Sequence, residues 1–160
     1  MKSLFTLFLF ALAALPASAQ NEFLKPEGLA PAHGYTHVVV AKPGQLIILS
    51  GQLANNPQGQ LVGKGDLKAQ TIQVFENIKT ALSSAGATFN DVVKITYFVR
   101  DFKPADLPAI RTVRDSYVNT SAPPANTLVG VASLFQDDYL IEIEATAVLP
   151  QKSKKKQPAK

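Results

Sequence analysis

The sequence predicts an α+β fold in which two helices cover one face of a mixed β-sheet. Two segments place apolar residues at the spacing of an amphipathic helix, and five segments are rich in the β-branched and apolar residues that strands favour. Their order is ββαβαββ, without an internal repeat. Packing both helices on one face of the sheet buries the apolar surfaces of all these elements together.

The first two strands are predicted at residues 36–41 and 45–50, where β-branched and apolar residues dominate. Lys42-Pro43-Gly44 separates them, and a Pro-Gly pair is a turn signal, so we expect a hairpin. Residues 55–65, rich in glycine with one proline, predict a loop.

The first helix is predicted from Asp66, whose side chain can accept a backbone N–H of the first turn, to Gly86, which can end it. An apolar stripe at helical spacing consists of Leu67, Thr71, Val74, Ile78, Ala81, Leu82 and Ala85. The second helix is predicted over residues 105–118. Its expected core face consists of Leu107, Ile110, Val113 and Tyr117. Pro108 falls in the first turn, where proline is tolerated.

The third strand is predicted over residues 91–100, where apolar side chains alternate with polar ones. The side chains expected on one face are Val93, Ile95, Tyr97 and Val99. Residues 126–132 and 139–149 complete the predicted sheet.

The N-terminus has the three parts of an export signal. Lys2 supplies a positive charge, residues 4–15 are almost continuously apolar, and Ala17-Ser18-Ala19 is a small-residue cleavage pattern. The apolar run is shorter than the roughly 20 residues that a membrane-spanning helix needs. Residues 1–19 are therefore predicted to be a signal peptide cleaved before Gln20, which implies a periplasmic or secreted protein without an integral membrane segment after cleavage; the alternative is an uncleaved N-terminal anchor.

The remaining chain divides into an extended lead-in at residues 20–33, one domain at residues 34–149 and a lysine-rich tail at residues 150–160. Five of the sixteen basic residues lie in the last nine positions; without them and Lys2, ten basic residues face twelve acidic ones. The domain is thus mildly acidic. The tail is expected to be solvated and mobile, either a solubilising end or an attractor of anionic surfaces, with no specific nucleic-acid partner.

The chain has no cysteine, which excludes disulfides, thiolate metal sites and cysteine nucleophiles. His33 and His37 flank Tyr35, but two histidines without a clear carboxylate partner do not make a closed metal site. We therefore expect neither a metal nor a cofactor.

Six short segments, in a fixed order, carry a family resemblance. They are Ile48-Leu49-Ser50-Gly51-Gln52, Gln70-Thr71, Glu76-Asn77-Ile78, Ala85-Gly86, Asp91-Val92-Val93-Lys94 and Ile141-Glu142-Ile143-Glu144-Ala145. Together they resemble the RidA (YjgF/L-PSP) family. The resemblance implies a chorismate-mutase-like fold and a barrel-shaped homotrimer with small-molecule clefts between subunits. It also implies hydrolysis of 2-imino or 2-enamino acids to 2-keto acids and ammonia, without metal or cofactor.

The cleft residues that the resemblance implies are Tyr35, Ser50, Gly51 and Glu142. A water that attacks an imine carbon needs an acceptor to position it and donors to stabilise the developing charge. Glu142 and Tyr35 are the candidate catalytic groups, while Ser50 and Gly51 are candidates for substrate binding. From the residues alone, Glu142 and Glu144 also fit an ordinary solvated sheet face, and Tyr35 fits an aromatic wall that only packs.

The family's carboxylate-binding arginine follows a Pro-Ala pair, whereas here Pro124-Ala125 is followed by Asn126. Loss of two charge-assisted hydrogen bonds costs about 3 kcal/mol, hence about a hundredfold in binding or rate. Asn126 is either a polar substrate-binding residue or a strand residue without a ligand. Arg111 occupies the position of a family asparagine on the second helix, and our hypothesis is that it restores the charge; the alternative is an exposed helix arginine.

Two classes of function follow. The first is an exported hydrolase similar to 2-iminobutanoate/2-iminopropanoate deaminases, with a substrate preference altered at Asn126. The second is a non-catalytic trimer that binds a small molecule or acts protectively, like a chaperone. A ribonuclease ranks third, because neither a catalytic histidine pair nor a basic cleft is recognisable.

Overall fold

The computed structural model describes residues 21–151, which form a four-stranded sheet with two helices and a separate two-stranded ribbon. The elements are β1 (Glu22–Leu24), β2 (Val38–Val40), β3 (Gly44–Gln52), α1 (Leu67–Ser84), β4 (Val92–Arg100), α2 (Leu107–Asp115), β5 (Ala125–Val131) and β6 (Ile141–Pro150). The predicted α+β class is confirmed. The signal-peptide prediction at residues 1–19, and the tail prediction beyond residue 151, lie outside the described residues. None of the helices in the described part is long and apolar enough to cross a membrane.

The four-stranded sheet has the order β3-β6-β4-β5. Strand β6 pairs antiparallel with both β3 and β4, while β4 and β5 run parallel. A parallel pair needs a crossover connection, and α2 with its flanking loops provides it. Strands β3 and β5 are therefore the two edges of the sheet, which places Ser50 and Asn126 at opposite edges.

Helix α1 begins where the capping pattern predicts. The Asp66 side chain accepts the N–H of Ala69 at 3.0 Å. Past the end of the helix, Gly86 adopts a φ of +73°, a left-handed conformation that favours glycine. The buried face includes Thr71, Val74, Ile78 and Leu82 of the predicted stripe, together with two residues that the stripe omitted, Gln70 and Phe75.

The hydrophobic core lies between the helices and one face of the sheet. Its largest fully buried apolar residues are Val74, Phe75, Ile78, Leu82, Val92, Ile95, Val99, Ile141 and Ile143. The opposite face of the sheet, here called the open face, carries apolar side chains that a single chain leaves in water. Leu46 is 60% exposed and Ile48 is 74% exposed. An apolar surface of this kind is typical of an interface.

The predicted hairpin between residues 36–41 and 45–50 is wrong. Strand β2 pairs with β1, in the lead-in, while β3 pairs with β6. The Lys42 backbone N–H donates to the Asn21 side chain at 3.0 Å, and the Lys42 ammonium pairs with Glu22. The first residue of the expected turn is thus bonded to the lead-in, which holds β2 away from β3.

Two local boundaries also differ from the predictions. In β4, Ile95, Tyr97 and Val99 are buried as expected, but Val92 is buried in place of Val93, because the register with β6 shifts between residues 92 and 94. A bulge of this kind moves the alternation by one residue. The second helix is shorter than predicted: a 3₁₀ turn at Pro104–Asp106 precedes α2, which ends at Asp115.

Candidate functional site

A small pocket lies between α2, the edge strand β5 and the segment that precedes β2. Its volume is about 120 Å³. The lining residues are His33, Tyr35, Tyr97, Leu107, Ile110, Arg111, Arg114, Asn126 and Leu128. Three of the six predicted site residues, Tyr35, Arg111 and Asn126, therefore meet in one pocket although they come from distant parts of the chain.

Thr36 fixes the segment that precedes β2 against the segment that precedes β5. Its hydroxyl donates to the Pro123 carbonyl at 2.7 Å, and its backbone N–H donates to the Pro124 carbonyl at 3.3 Å. The Asn126 amide makes a longer contact, 3.5 Å, with the Gly34 carbonyl. Because Thr36 is buried, these bonds are shielded from water and hold Tyr35 beside Asn126.

Arg114 is the most deeply placed cation of the pocket, with only 8% of the residue exposed. Its Nε and Nη2 donate to the same oxygen of Asp115, at 2.8 and 2.6 Å. The guanidinium lies against Gly34, where an added Cβ would come within 2.4 Å of Nη2. Gly34 also has a φ of +78°. A glycine is therefore required there both by the backbone and by the arginine that packs on it.

Tyr97 forms part of the pocket wall on the sheet side and is 2% exposed. Its hydroxyl is buried and has no hydrogen-bond partner among residues 21–151. Burial raises the pKa of this phenol, although the positive charge of Arg114 acts in the opposite direction. The hydroxyl is therefore neutral at physiological pH. A buried polar group without a partner is uncommon in folded proteins and calls for an explanation.

The other three predicted site residues form a second group on β3 and β6. Glu142 lies directly over Gly51, since a Cβ added to that glycine would overlap the Glu142 carboxylate. Ser50 precedes Gly51 at the irregularity in the β3–β6 register between Leu49 and Gln52. Desolvation raises the pKa of the Glu142 carboxyl, and the nearby charge of Glu144 raises it further. Such a carboxyl is suited to exchange protons nearer to neutral pH than an ordinary glutamate.

The two groups do not meet within one chain. Asn126 is in register with Ile95, on the helix-covered face, whereas Glu142 is in register with Phe98. Residues an odd number apart on a strand point to opposite faces, so Glu142 lies on the open face. Ser50 and Asn126 are also separated by the full width of the sheet, three strand spacings or about 14 Å.

The two histidines take separate positions around Tyr35. His33 lines the pocket, while His37 packs edge-on against the Tyr35 ring, with centroids 5.1 Å apart, and its Nε2 lies 2.7 Å from the Ala30 carbonyl. Across residues 21–151, no group of three or more histidine, cysteine or acidic side chains is arranged to hold a metal ion.

A larger groove of about 810 Å³ lies on the other side of α2, between α2 and α1. None of the predicted site residues lines it. Its central polar groups bond to each other: the Tyr117 hydroxyl donates to Glu76 at 2.7 Å, and Lys79 lies 3.5 Å from the same carboxylate. Size alone therefore does not identify the site, because the smaller pocket contains the uncompensated polar groups.

Sequence reasoning missed Arg114 and Tyr97. The alternation of β4 predicts that Tyr97 lies in the core, and a buried tyrosine hydroxyl normally needs a hydrogen-bond partner. That requirement is the sequence feature that could have indicated a polar site beside Tyr97. Arg114 lies one helical turn after Arg111 and immediately after the core residue Val113, so it borders the buried face of α2.

The fold agrees with comparisons to known proteins. Residues 26–149 match the family model described as Endoribonuclease L-PSP. The chain therefore belongs to the RidA (YjgF/L-PSP) family, as the ordered segments indicated.

Individual relatives cover most of this domain. A RutC family protein of Pyrococcus abyssi is 42% identical over 106 residues, which are 66% of this chain and 80% of the relative. A 2-iminobutanoate/2-iminopropanoate deaminase of Salmonella typhimurium is 35% identical over 74% of this chain and 91% of its own. Among solved structures, a Rid-family protein of unknown function from Yersinia pestis, YyfB, has a TM-score of 0.74 and 39% identity, covering 81% of this chain and 99% of that one.

Proposed function

We propose that this protein is a cofactor-free hydrolase of small 2-imino or 2-enamino acids and related C=N compounds. The observation that carries the proposal is the pocket in which Tyr35, Arg111 and Asn126 meet. Relatives named as 2-iminobutanoate/2-iminopropanoate deaminases, and one named 3-aminoacrylate deaminase RutC, support this reaction class.

The proposed reaction needs only water and proton transfer. Water adds to the imine carbon, forming a C–O bond, and the C–N bond then breaks to release ammonia and leave a 2-keto acid. Glu142 positions the water, accepts one of its protons and delivers that proton to the imine nitrogen; the second proton, left on the added hydroxyl, then passes through the same carboxylate to the departing nitrogen as the C=O bond forms. Its raised pKa makes this exchange easier near neutral pH. Tyr35 bounds the pocket and orients the substrate, while the backbone around Ser50 and Gly51 offers hydrogen-bonding groups to the reacting atoms.

In our proposal the reacting site is completed by two copies of the chain. Glu142 and Asn126 lie on opposite faces and on different strands of the sheet, so one chain cannot present both to a small substrate. The apolar residues of the open face, Leu46 and Ile48, provide the surface through which copies associate. A homotrimer with a cleft between each pair of neighbours, as the family resemblance implies, would bring Glu142 of one copy to Asn126 of another. It would also cover the apolar residues of the open face.

Asn126 sets the substrate preference in this proposal. An asparagine amide offers both a donor and an acceptor, but it lacks the fixed fork of a guanidinium that pairs with a carboxylate. Arg111, which lines the same pocket, supplies a positive charge from α2 instead. Loss of activity towards 2-iminopropanoate in Arg111→Ala would support that role, and unchanged activity would exclude it.

The test is release of ammonia and keto acid from freshly generated 2-iminopropanoate, compared with buffer alone. Wild-type protein, Asn126→Arg and Glu142→Gln are measured side by side. Turnover by wild-type protein that falls in Glu142→Gln supports the proposal. Turnover only in Asn126→Arg means that the cleft is preserved but serves another ligand. Absence of turnover in both the wild-type protein and Asn126→Arg contradicts the proposed enzyme and favours the non-catalytic binding module.

We further propose that the mature protein is exported, on the strength of the predicted signal peptide at residues 1–19. Fractionation of cells that express the full chain, with N-terminal sequencing of the product, tests this. Recovery of a periplasmic or secreted protein that begins at Gln20 is the expected result, and an intact Met1 in the cytoplasmic fraction would contradict it.

A further inference from the structure

Two loops lead to the contact between Glu142 and Gly51, and both are bonded to helix α1. Residues 53–65, here called the first loop, connect β3 to α1; residues 132–140, the second loop, connect β5 to β6. The contact itself is close, because the Glu142 carboxylate leaves no room for a Cβ at Gly51. Since a close-packed contact is lost when either side moves, whatever holds the two loops also holds this contact.

Gln70 joins the second loop to the first half of α1. It is fully buried. Its Nε2 donates to the Asp138 carbonyl at 2.9 Å and to the Gly63 carbonyl at 3.2 Å, and its Oε1 accepts the Leu140 N–H at 2.8 Å. Both N–H groups and the oxygen of this amide are thus bonded, and breaking these bonds would leave buried polar groups unpaired. The chain two residues before Glu142 is thereby fixed to the helix.

Asn77 attaches the first loop to the second half of α1. Its Nδ2 donates to the carbonyls of Leu53 and Asn55, both at 2.9 Å, and Leu53 is the first residue of that loop. Asn77 follows Gln70 by seven positions, which is two helical turns and about 10 Å along the same face of α1. The helix is therefore a rigid spacer between the points where the two loops are attached.

A side-chain hydrogen bond also joins the two loops directly. The Tyr139 hydroxyl donates to the Asn55 Oδ1 at 2.6 Å, and Tyr139 is buried. An ion pair between Lys64 and Asp138, at 2.8 Å, lies in solvent and contributes little. The loops and α1 thus form one network of hydrogen bonds, and the bonds that are shielded from water are the stronger ones.

We propose that Gln70 and Asn77 are positioning residues, which use α1 to hold the Glu142 carboxylate against the Gly51 backbone. The inference rests on the proposed function, because it takes Glu142 as the group that positions the attacking water. Both amides act through the two loops and not on the reacting atoms. The family segments around Gln70 and Asn77, which contribute no residue to the small pocket, thereby acquire a function in the reaction.

The network controls how much water reaches Glu142. Desolvation is the main cause of the raised pKa of this carboxyl, and the adjoining Gly51 backbone is part of its cover. Loosening either loop admits water, so the pKa of Glu142 falls towards its ordinary value of 4.5. The attacking water also loses its place, which lowers kcat more than it changes KM.

The experiment compares variants that each remove a few bonds of the network. Tyr139→Phe removes the bond between the loops, and Asn77→Leu removes two donors without adding a charge. Tyr117→Phe is the matched control, because it is the same chemical change at a hydroxyl that bonds Glu76 in the helix–helix groove, which neither loop lines. NMR titration of protein with isotopically labelled glutamate carboxyls measures the Glu142 pKa, and Glu142→Gln identifies the resonance. The same proteins are assayed for kcat and KM with 2-iminopropanoate.

We expect the Glu142 pKa to fall by at least about 0.5 in Tyr139→Phe and by more in Asn77→Leu. In Asn77→Leu, kcat falls at least about tenfold and KM changes less than about twofold. The acid limb of the pH–rate profile moves to lower pH together with the pKa. Tyr117→Phe keeps the wild-type pKa and kcat although it also loses a hydrogen bond, so reduced stability alone does not produce these changes.

A Glu142 pKa in Asn77→Leu and Tyr139→Phe equal to that in Tyr117→Phe would overturn the inference. Unchanged kcat in both loop variants of an active enzyme would overturn it as well. If Asn77→Leu does not fold, Tyr139→Phe decides the question alone. Failure of the proposed function gives a different result: wild-type protein does not hydrolyse 2-iminopropanoate, yet the Glu142 pKa still falls in the two loop variants.

Discussion

Tyr117 and Tyr97 both pack near Phe75, yet their hydroxyls have different surroundings. The Tyr117 ring stacks on Phe75 with centroids 4.9 Å apart, and its hydroxyl donates to Glu76. The Tyr97 ring lies 6.5 Å from Phe75, and its hydroxyl has no partner among residues 21–151. Burial raises the pKa of both phenols, and the bond with Glu76 helps to bring the pKa of Tyr117 to about 12. The hydroxyl of the helix–helix groove thus has a partner, whereas the hydroxyl at the small pocket has none among residues 21–151, which is the contrast expected between a structural region and the pocket that we propose to be a binding region.

Phe75→Ala removes the packing that the two tyrosines share and should have the largest effect. Phe75 is fully buried, so we expect the free energy of unfolding to fall by about 3–5 kcal/mol, the usual loss for a buried aromatic ring. Urea denaturation of the mature protein measures it. Ile72→Ala, at a half-exposed position of the same helix, is the control and should cost less than about 1 kcal/mol. Similar losses in the two variants would mean that Phe75 is not a central packing residue.

Tyr117→Phe should lower the free energy of unfolding by about 1–2 kcal/mol at neutral pH, because Glu76 loses a hydrogen-bond donor. The folded-state pKa of Tyr117 lies above its ordinary value of 10, so the folded chain retains the proton more strongly than the unfolded chain. The stability advantage of wild-type protein over the variant is therefore complete below pH 10 and shrinks as the pH rises towards about 12. An advantage that grows over this range would contradict the assigned bond.

Glu142→Gln removes a titratable carboxyl from the open face and tests how its charge affects the stability of the fold. The folded chain binds the Glu142 proton more tightly than the unfolded chain, because desolvation and Glu144 raise its pKa above the ordinary value of 4.5. The protonated Glu142 side chain therefore contributes fully to the free energy of unfolding below pH 4.5, and this contribution is lost as the pH rises through the folded-state pKa. The variant should therefore be more stable than wild type at pH 7, by less than about 1 kcal/mol for a solvent-screened charge.

One control variant accompanies the Glu142→Gln measurement. Glu27→Gln, at an exposed position, should change the thermal midpoint of unfolding little at any pH. A Glu142→Gln protein that is less stable than wild type at pH 7 would contradict the pKa direction. A gain in stability together with loss of turnover is the signature of a residue kept for function.

Tyr97→Phe should have the smallest effect on stability, within about 0.5 kcal/mol of wild type, because its hydroxyl bonds to no residue in the described chain. The ring and its packing remain. Differential scanning calorimetry of Tyr97→Phe and Tyr117→Phe under the same conditions compares the two losses of stability directly. A loss as large as that of Tyr117→Phe would show that the hydroxyl already has a partner, and the distinction between the two regions would fail.

The parts of the fold that sequence predicted well are those decided locally. Asp66 caps α1 because its side chain needs only the N–H groups of the next turn, and Pro108 marks the first turn of α2 for a similarly local reason. Strand pairing is decided at longer range. The pairing of β2 with β1 depends on the contacts of Asn21 and Glu22 with Lys42. Neither the alternation of apolar residues nor a turn sequence predicts such contacts.

The site was predictable only in part. The family resemblance pointed to Tyr35, Arg111 and Asn126, and the small pocket contains all three. Whether an arginine on a short amphipathic helix is buried depends on what packs over it. Arg114 is buried because Gly34, eighty positions earlier, leaves room for the guanidinium. A contact between residues so far apart in the sequence, such as that of Gly34 with Arg114, can be recognised only in the folded chain.

The division of the candidate site residues between opposite faces of the sheet has a genetic consequence. In the proposed assembly each cleft takes Asn126 from one subunit and Glu142 from its neighbour. A chain defective at Asn126 and a chain defective at Glu142 would each form inactive homotrimers. A mixed trimer, however, contains a cleft in which both contributed residues are intact. Two alleles that each abolish function would therefore complement one another when expressed in the same cell.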